Sequence, residues 1–108
     1  MILRKEQLVI PKEKIIEYLL IPKDKNDKSA FLRAIGYSLG SWQQLTDDIM
    51  KLATSNELKE ERNSEFGNLY SVTGLLNTKL VITIWFQQIS SEKFRFITLY
   101  PYKNERKI

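Results

Sequence analysis

Two runs, "KLVITIWFQQ" (79–88) and "KFRFITLY" (93–100), limit what this chain can fold into more than any other feature. Both are dense in β-branched and aromatic residues, which suit a pleated, half-buried surface. The spacing predicts an antiparallel hairpin. With Ser90-Ser91 as a two-residue turn, Val81, Thr83, Trp85 and Gln87 stand opposite Tyr100, Thr98, Phe96 and Phe94 on one side. Ile82, Ile84 and Phe86, with Leu99, Ile97 and Arg95, occupy the other. The second side is the more aliphatic, so it is expected to pack under the helices. That leaves an aromatic face interleaved with threonines and a glutamine. Such a face is either covered by a loop or partner chain, or is a floor that stacks bases and bonds phosphates. A turn one residue longer or shorter swaps the assignment on one strand. Arg95 on a core-facing position is the sign of tension in this register.

A third run, "GNLYSVTGLL" (67–76), is also rich in strand formers, with Gly74 suggesting a bulge or turn and Asn77-Thr78 a second turn. The first half of the chain has a different period. Pro11 suits a first helical position, and Ile15, Ile16, Leu19 and Leu20 recur at helical spacing until Pro22. After a charged loop (22–27), Asp27 is placed to cap a second helix that ends at Gly36. Ser41 and Gln44 form the pattern of a capping box at the start of a third, whose buried stripe is Leu45, Ile49, Leu52 and Ala53. The stretch "TSNELKEERNSE" (54–65) has six charged residues and a single leucine, and is expected to be an exposed, mobile connection. Helices followed by consecutive strands predict an α+β fold: three N-terminal helices packed on one face of an antiparallel sheet of three or four strands. The expected organisation is one domain over 1–108, a common domain size.

Composition narrows the chemistry. The chain has no histidine and no cysteine, so imidazole proton shuttles, Ser-His-Asp systems, disulfides and thiolate metal sites are excluded. The four glycines form neither a dinucleotide nor a P-loop signature. The predicted strands carry almost no carboxylates, so no metal or organic cofactor is expected. No segment approaches the ~20 apolar residues of a membrane span, and neither a signal peptide nor a membrane partner is expected; a cytoplasmic location follows as the expectation. Charge is uneven: residues 1–33 carry eight Lys/Arg against five Asp/Glu, 34–65 three against six, and 66–108 six against two. That distribution either steers a polyanion to one surface or is a plain lysine-rich exterior. An enzyme built from what remains would have to work with Lys, Arg, Tyr and Ser or Thr, with or without a glutamate. That set fits metal-free RNA cleavage, in which cations stabilise the phosphorane and the RNA supplies its own 2′-hydroxyl.

The stretches "IPKEKIIEYLL" (10–20), "DKSAFLRAIGY" (27–37), "ITIWF" (82–86) and "FITLYPY" (96–102) resemble a small uncharacterised bacterial domain family. Lys28, Phe31, Leu32, Gly36, Tyr37, Trp85, Thr98, Tyr100 and Pro101 fall on its pattern, with Ser29 where that pattern has alanine. Such domains occur beside small antitoxin-like partners and at the ends of polymorphic toxins, and are similar to the barnase/RelE-like ribonuclease fold. The resemblance implies a toxin of a toxin–antitoxin pair, an antitoxin protein as partner and RNA as substrate. Lys28, Arg95, Thr98 and Tyr100 are the candidate catalytic residues. The first two would neutralise the scissile phosphate, Thr98 would orient it, and Tyr100 or Tyr70 would exchange protons or stack. Trp85, Thr83, Tyr70, Arg33 and Lys93 are the candidate RNA contacts, and no residue is assigned to a metal. Each has a plainer role: Lys28 as a surface cation, Arg95 as an edge-strand charge against aggregation, Thr98 and the tyrosines as packing. The other reading is a non-catalytic module that docks a protein on its aromatic face or a strand edge.

Overall fold

The computed structural model describes residues 1–25 and 27–103. One five-stranded sheet organises them, in the order β1-β5-β4-β3-β2: β1 Leu8–Val9, β2 Leu58–Asn63, β3 Gly67–Leu76, β4 Lys79–Gln88 and β5 Phe94–Pro101. Four neighbouring strands run antiparallel, and short β1 pairs parallel with β5. The fold is α+β, but the expected three N-terminal helices on three or four strands are not what forms. Among the described residues only α2, Trp42–Ala53, is a long helix, and it lies mid-chain; α1 is Ser29–Ala34, and 14–19 forms a π-helix.

The two strands the sequence did not announce lie at the edges. β2 is cut from the stretch expected to be a mobile connection. Its backbone gains a ladder with β3 while all its side chains after Leu58 remain exposed. Charged side chains on an edge strand block further pairing, so the composition that looked disordered is that of a protected edge. β1, only two residues long, covers the start of β5 opposite Phe94 and Arg95.

Gly74 does not interrupt β3, whose register with β4 is unbroken from Gly67 to Leu76. A Cβ at Gly74 would meet Asn56 Nδ2 at 2.4 Å and Leu52 Cγ at 3.0 Å. The glycine is there so that α2 can lie close on the sheet. The Asn77-Thr78 turn does form, with Asn77 in the left-handed region at φ 59°. At α2, Ser41 exchanges hydrogen bonds with the backbone of Ser38, and Gln44 donates to Asp48, so the expected capping box is replaced by a 3-10 turn over Leu39–Ser41. Asp27 does hold the start of α1: its Oδ1 accepts both the Ser29 N–H at 2.9 Å and its hydroxyl at 2.6 Å. Those bonds keep the Asp27 carboxyl below its ordinary range. The segment 22–27 is irregular over its described residues, Asn26 lying outside them.

The core reverses the expected sides of the hairpin. Val72 and Leu76 of β3, Val81, Thr83 and Trp85 of β4, and Phe94, Phe96 and Leu99 of β5 are buried together under Ile15, Leu19, Leu32, Leu45, Ile49 and Leu52. The aromatic side is therefore the covered one. Large aromatics bury about 150–250 Å² each, so covering them returns more than covering the isoleucines opposite. The polar atoms on that side are satisfied internally: Trp85 Nε1 donates to Thr83 Oγ1 at 2.8 Å, and Thr83 donates to the Val72 carbonyl at 2.8 Å. Trp85 and Phe96 meet edge to face, centroids 5.5 Å apart.

Candidate site on the open sheet face

β4 and β5 are joined by residues 89–93, not by a two-residue turn. Near that loop the register is the anticipated one, with Trp85 opposite Phe96 and Phe86 opposite Arg95. It then slips: Ile84 pairs with Thr98, leaving Ile97 without a partner. One extra residue reverses every later side chain on that strand. Thr98 and Tyr100, expected beside Thr83 and Val81, instead stand opposite Ile84 and Ile82. Arg95, Thr98 and Tyr100 thus share the face turned away from the buried core. Without the bulge, Arg95 and Thr98, three apart, would face opposite sides.

The π-helix brings a second set of groups to this edge. Ile15 and Leu19 are buried from it, and the half-buried Tyr18 between them reaches β5. Its hydroxyl lies 3.0 Å from Thr98 Oγ1. Lys14 Nζ sits 4.6 Å from the Tyr18 ring centroid and Lys23 Nζ 6.0 Å, and Lys23 also donates to the Glu17 carbonyl. These residues with Glu13, Glu17 and Arg95 line a shallow cleft of about 360 Å³. Further along β5, Lys28 Nζ stands 5.9 Å from the Tyr100 ring centroid, within cation–π range. Among the described residues, ion pairs form only between the Met1 amino group and Glu57 and between Arg4 and Glu6. Lys14, Lys23, Lys28 and Arg95 have no carboxylate bound to them there. Cations held close without neutralisation form a surface suited to a polyanion, and π-helical segments frequently mark functional sites.

Four of the nine candidate residues, Lys28, Arg95, Thr98 and Tyr100, come to this side, and a fifth, Lys93, lines a small cleft there with Arg95 and Phe86 while its Nζ donates to the Glu6 carbonyl. The other four do not. Trp85 and Thr83 are fully buried and bonded to each other, so neither offers a surface to RNA. Tyr70 packs edge to face on Phe94 at 5.3 Å on the covered side and donates to Gln87. Arg33 is turned to Ser29. Lys14, Tyr18 and Lys23 were missed. The signal available was Lys14 and Tyr18, four apart and flanking the buried Ile15 and Leu19, on a segment read only for its apolar stripe.

A larger cleft, about 560 Å³, lies between α2 and the β3–β4 turn. Its polar groups serve the fold: Asp48 accepts from Tyr37 and Gln44, while the Asn56 and Asn77 amides donate to the Leu52 and Ile35 carbonyls. Burial, and then Asp48, raises the Tyr37 hydroxyl well above its ordinary pKa. Among the described residues no three carboxylates gather as metal ligands, and no helix is long and apolar enough to cross a membrane. No curated protein and no solved structure matches the chain. A family model does match, over residues 3–103, and the chain belongs to that family, described as Domain of unknown function (DUF6883).

Proposed function

We propose that this protein is the toxin of a bacterial toxin–antitoxin pair and cleaves RNA in the cytoplasm without a metal, at the cleft beside β5. The observation that carries this reading is the bulge at Ile97, which sets Arg95 and Thr98 on one side with Tyr18 bonded to Thr98. Arg95, Lys14 and Lys23 surround the place where a phosphate would sit. The RNA's 2′-hydroxyl oxygen attacks the adjacent phosphorus, and the bond from phosphorus to the 5′-oxygen breaks. The cleft's carboxylates, Glu13 and Glu17, are the groups placed to take the 2′-hydroxyl proton. The Tyr18 hydroxyl, held by Thr98, gives its proton to the departing 5′-oxygen. The products are a 2′,3′-cyclic phosphate and a 5′-hydroxyl. The cations act on charge that develops only as the phosphorane forms, where such contacts contribute most. Lys28 and Tyr100, further along the strand, hold a neighbouring nucleotide. An antitoxin protein is the partner this reading requires.

Purified protein incubated with RNA in EDTA, followed by mapping of the product ends, tests it. Cyclic phosphate ends, lost in Tyr18→Phe and Arg95→Ala, are expected; intact RNA with EDTA and with Mg²⁺, and no growth arrest on induction, would end the reading. The docking-module alternative rests on a different observation. Leu75 and Leu80 pair across β3 and β4 on the same uncovered side and are 63% and 46% exposed, a patch that suits an apolar protein surface.

A further inference from the structure

The open face has a second pattern, visible only when the strands are crossed rather than followed. Arg95 of β5 lies opposite Phe86 of β4, Phe86 opposite Leu69 of β3, and Leu69 opposite Arg62 of β2. One transverse row therefore has an arginine at each end and a phenyl ring and a leucine between. At the usual strand spacing the two arginine backbones are roughly 14 Å apart. Both arginines are exposed, and neither forms an ion pair among the described residues. Phe86 borders a cleft on either side: one of about 330 Å³ shared with Arg62 and Leu69, and one of about 140 Å³ shared with Arg95 and Lys93.

Gly67 makes room for the ring. A Cβ there would meet Phe86 Cζ at 2.4 Å, so the phenyl leans over bare backbone. The neighbouring row runs Thr98, Ile84, Ser71, with Lys59 at the β2 end. β2 carries two carboxylates: Glu60, opposite Tyr70, belongs to the covered side, and Glu61, at the bulge, accepts a hydrogen bond from Ser71 at its Oε2.

We infer that this face binds single-stranded RNA across the strands, with phosphates on Arg62 and Arg95 and an unpaired base stacked on Phe86. This deepens the cleavage reading, on which it rests for the identity of the polymer as substrate: it names the substrate of the cleft as an unpaired strand. Cations flanking an aromatic suit a backbone that carries charge and bases that expose a flat apolar surface. A duplex keeps its bases stacked inside and would meet the face with phosphates alone, leaving Phe86, Leu69 and Ile84 against hydrated backbone. A purely apolar partner would have to desolvate both arginines without pairing them.

The test uses the full chain in EDTA with a 2′-O-methyl RNA of about 12 nucleotides, which lacks the 2′-hydroxyl nucleophile and so reports binding alone. Fluorescence anisotropy is measured for that strand and for the same strand annealed to its complement. The single strand is expected to bind at least about tenfold tighter than the duplex. Arg62→Ala should weaken it and reduce the salt slope by about 0.7, the change for one phosphate contact on a single strand. Phe86→Leu keeps an apolar side chain over Gly67 while removing the stacking surface, and should weaken binding on the order of 5- to 150-fold; an unchanged unfolding midpoint shows that it folds. Equal affinity for duplex, no binding of either form, or wild-type affinity in both variants overturns the inference. Cleavage of the matching unmodified strand is scored in parallel. Binding with these dependences but no cleavage removes the nuclease reading and leaves this one standing; cleavage that both variants carry out and bind unchanged does the reverse.

Discussion

The two faces of the sheet are built from neighbouring residues of the same strands and do opposite things with polar groups. On the covered face, among the described residues, no buried polar side-chain atom lacks a partner: Trp85 donates to Thr83 and Thr83 to Val72. On the open face Arg62, Lys28 and Arg95 form no ion pair among the described residues. Burial makes an unsatisfied polar group costly, so the covered face accepts threonine and tryptophan only as a bonded set. Water removes that demand on the other side and leaves its cations available. A residue on one face should therefore matter to stability, and its sequence neighbour on the other to binding or cleavage.

Trp85→Ala is the strongest way to break that comparison. Emptying the site of a fully buried tryptophan should cost about 3–5 kcal/mol, a large part of the roughly 5–15 kcal/mol of a typical domain. Denaturant unfolding measures it; a loss no larger than that of Tyr100→Ala, on the open face, would mean the faces are not distinct. Arg95→Ala should do the reverse. Cleavage is expected to fall on the order of 10²-fold or more, with the unfolding midpoint little changed because the side chain is exposed. A wild-type rate would remove Arg95 from the site.

Thr83→Val sharpens the same contrast with a smaller effect. It keeps the shape but leaves the Trp85 indole N–H without its acceptor, for a loss of about 1–3 kcal/mol. The same change at Thr98 on the open face should leave stability nearly intact and act on cleavage. The smallest effect lies beneath α2. Because the Tyr37 pKa is raised in the folded state, its contribution is complete below the ordinary tyrosine value of 10.0 and is lost as pH rises above it. The unfolded chain ionises first, so wild-type stability should fall by up to about 1.4 kcal/mol per pH unit there. Tyr37→Phe should flatten that fall, and equal slopes would show that burial and Asp48 do not hold the hydroxyl protonated in the folded state.

The three longer strands and the buried stripe of α2 were legible because each repeats a local preference over many residues, and the Asn77-Thr78 turn because asparagine tolerates the left-handed conformation it takes there. β2 was not, since its side chains stay wet and only its backbone pairs. Part of the candidate site was legible: Arg95, Thr98 and Tyr100 stood out as a cation and hydroxyls within a strand-like run, while Lys28 was marked by the resemblance to the family pattern. Tyr18 did not, because nothing local says that it reaches a strand 80 residues away. Trp85 and Thr83 misled for the converse reason, as polar atoms whose partners lay inside the same sheet.

By itself the sequence determined that strands dominate the second half, where β-branched and aromatic residues recur, and that histidine and cysteine chemistry is absent. Which side of the hairpin faces water was decided only in the tertiary structure. Both sides are apolar enough to be buried, and local pattern ranks them without regard to what covers them. The choice depends on how much area the helices can cover and on whether the polar atoms taken inside find partners. The single unpaired residue at Ile97 then carries Thr98 and Tyr100 to the same side as Arg95. That one-residue slip is set by the fit of the whole sheet.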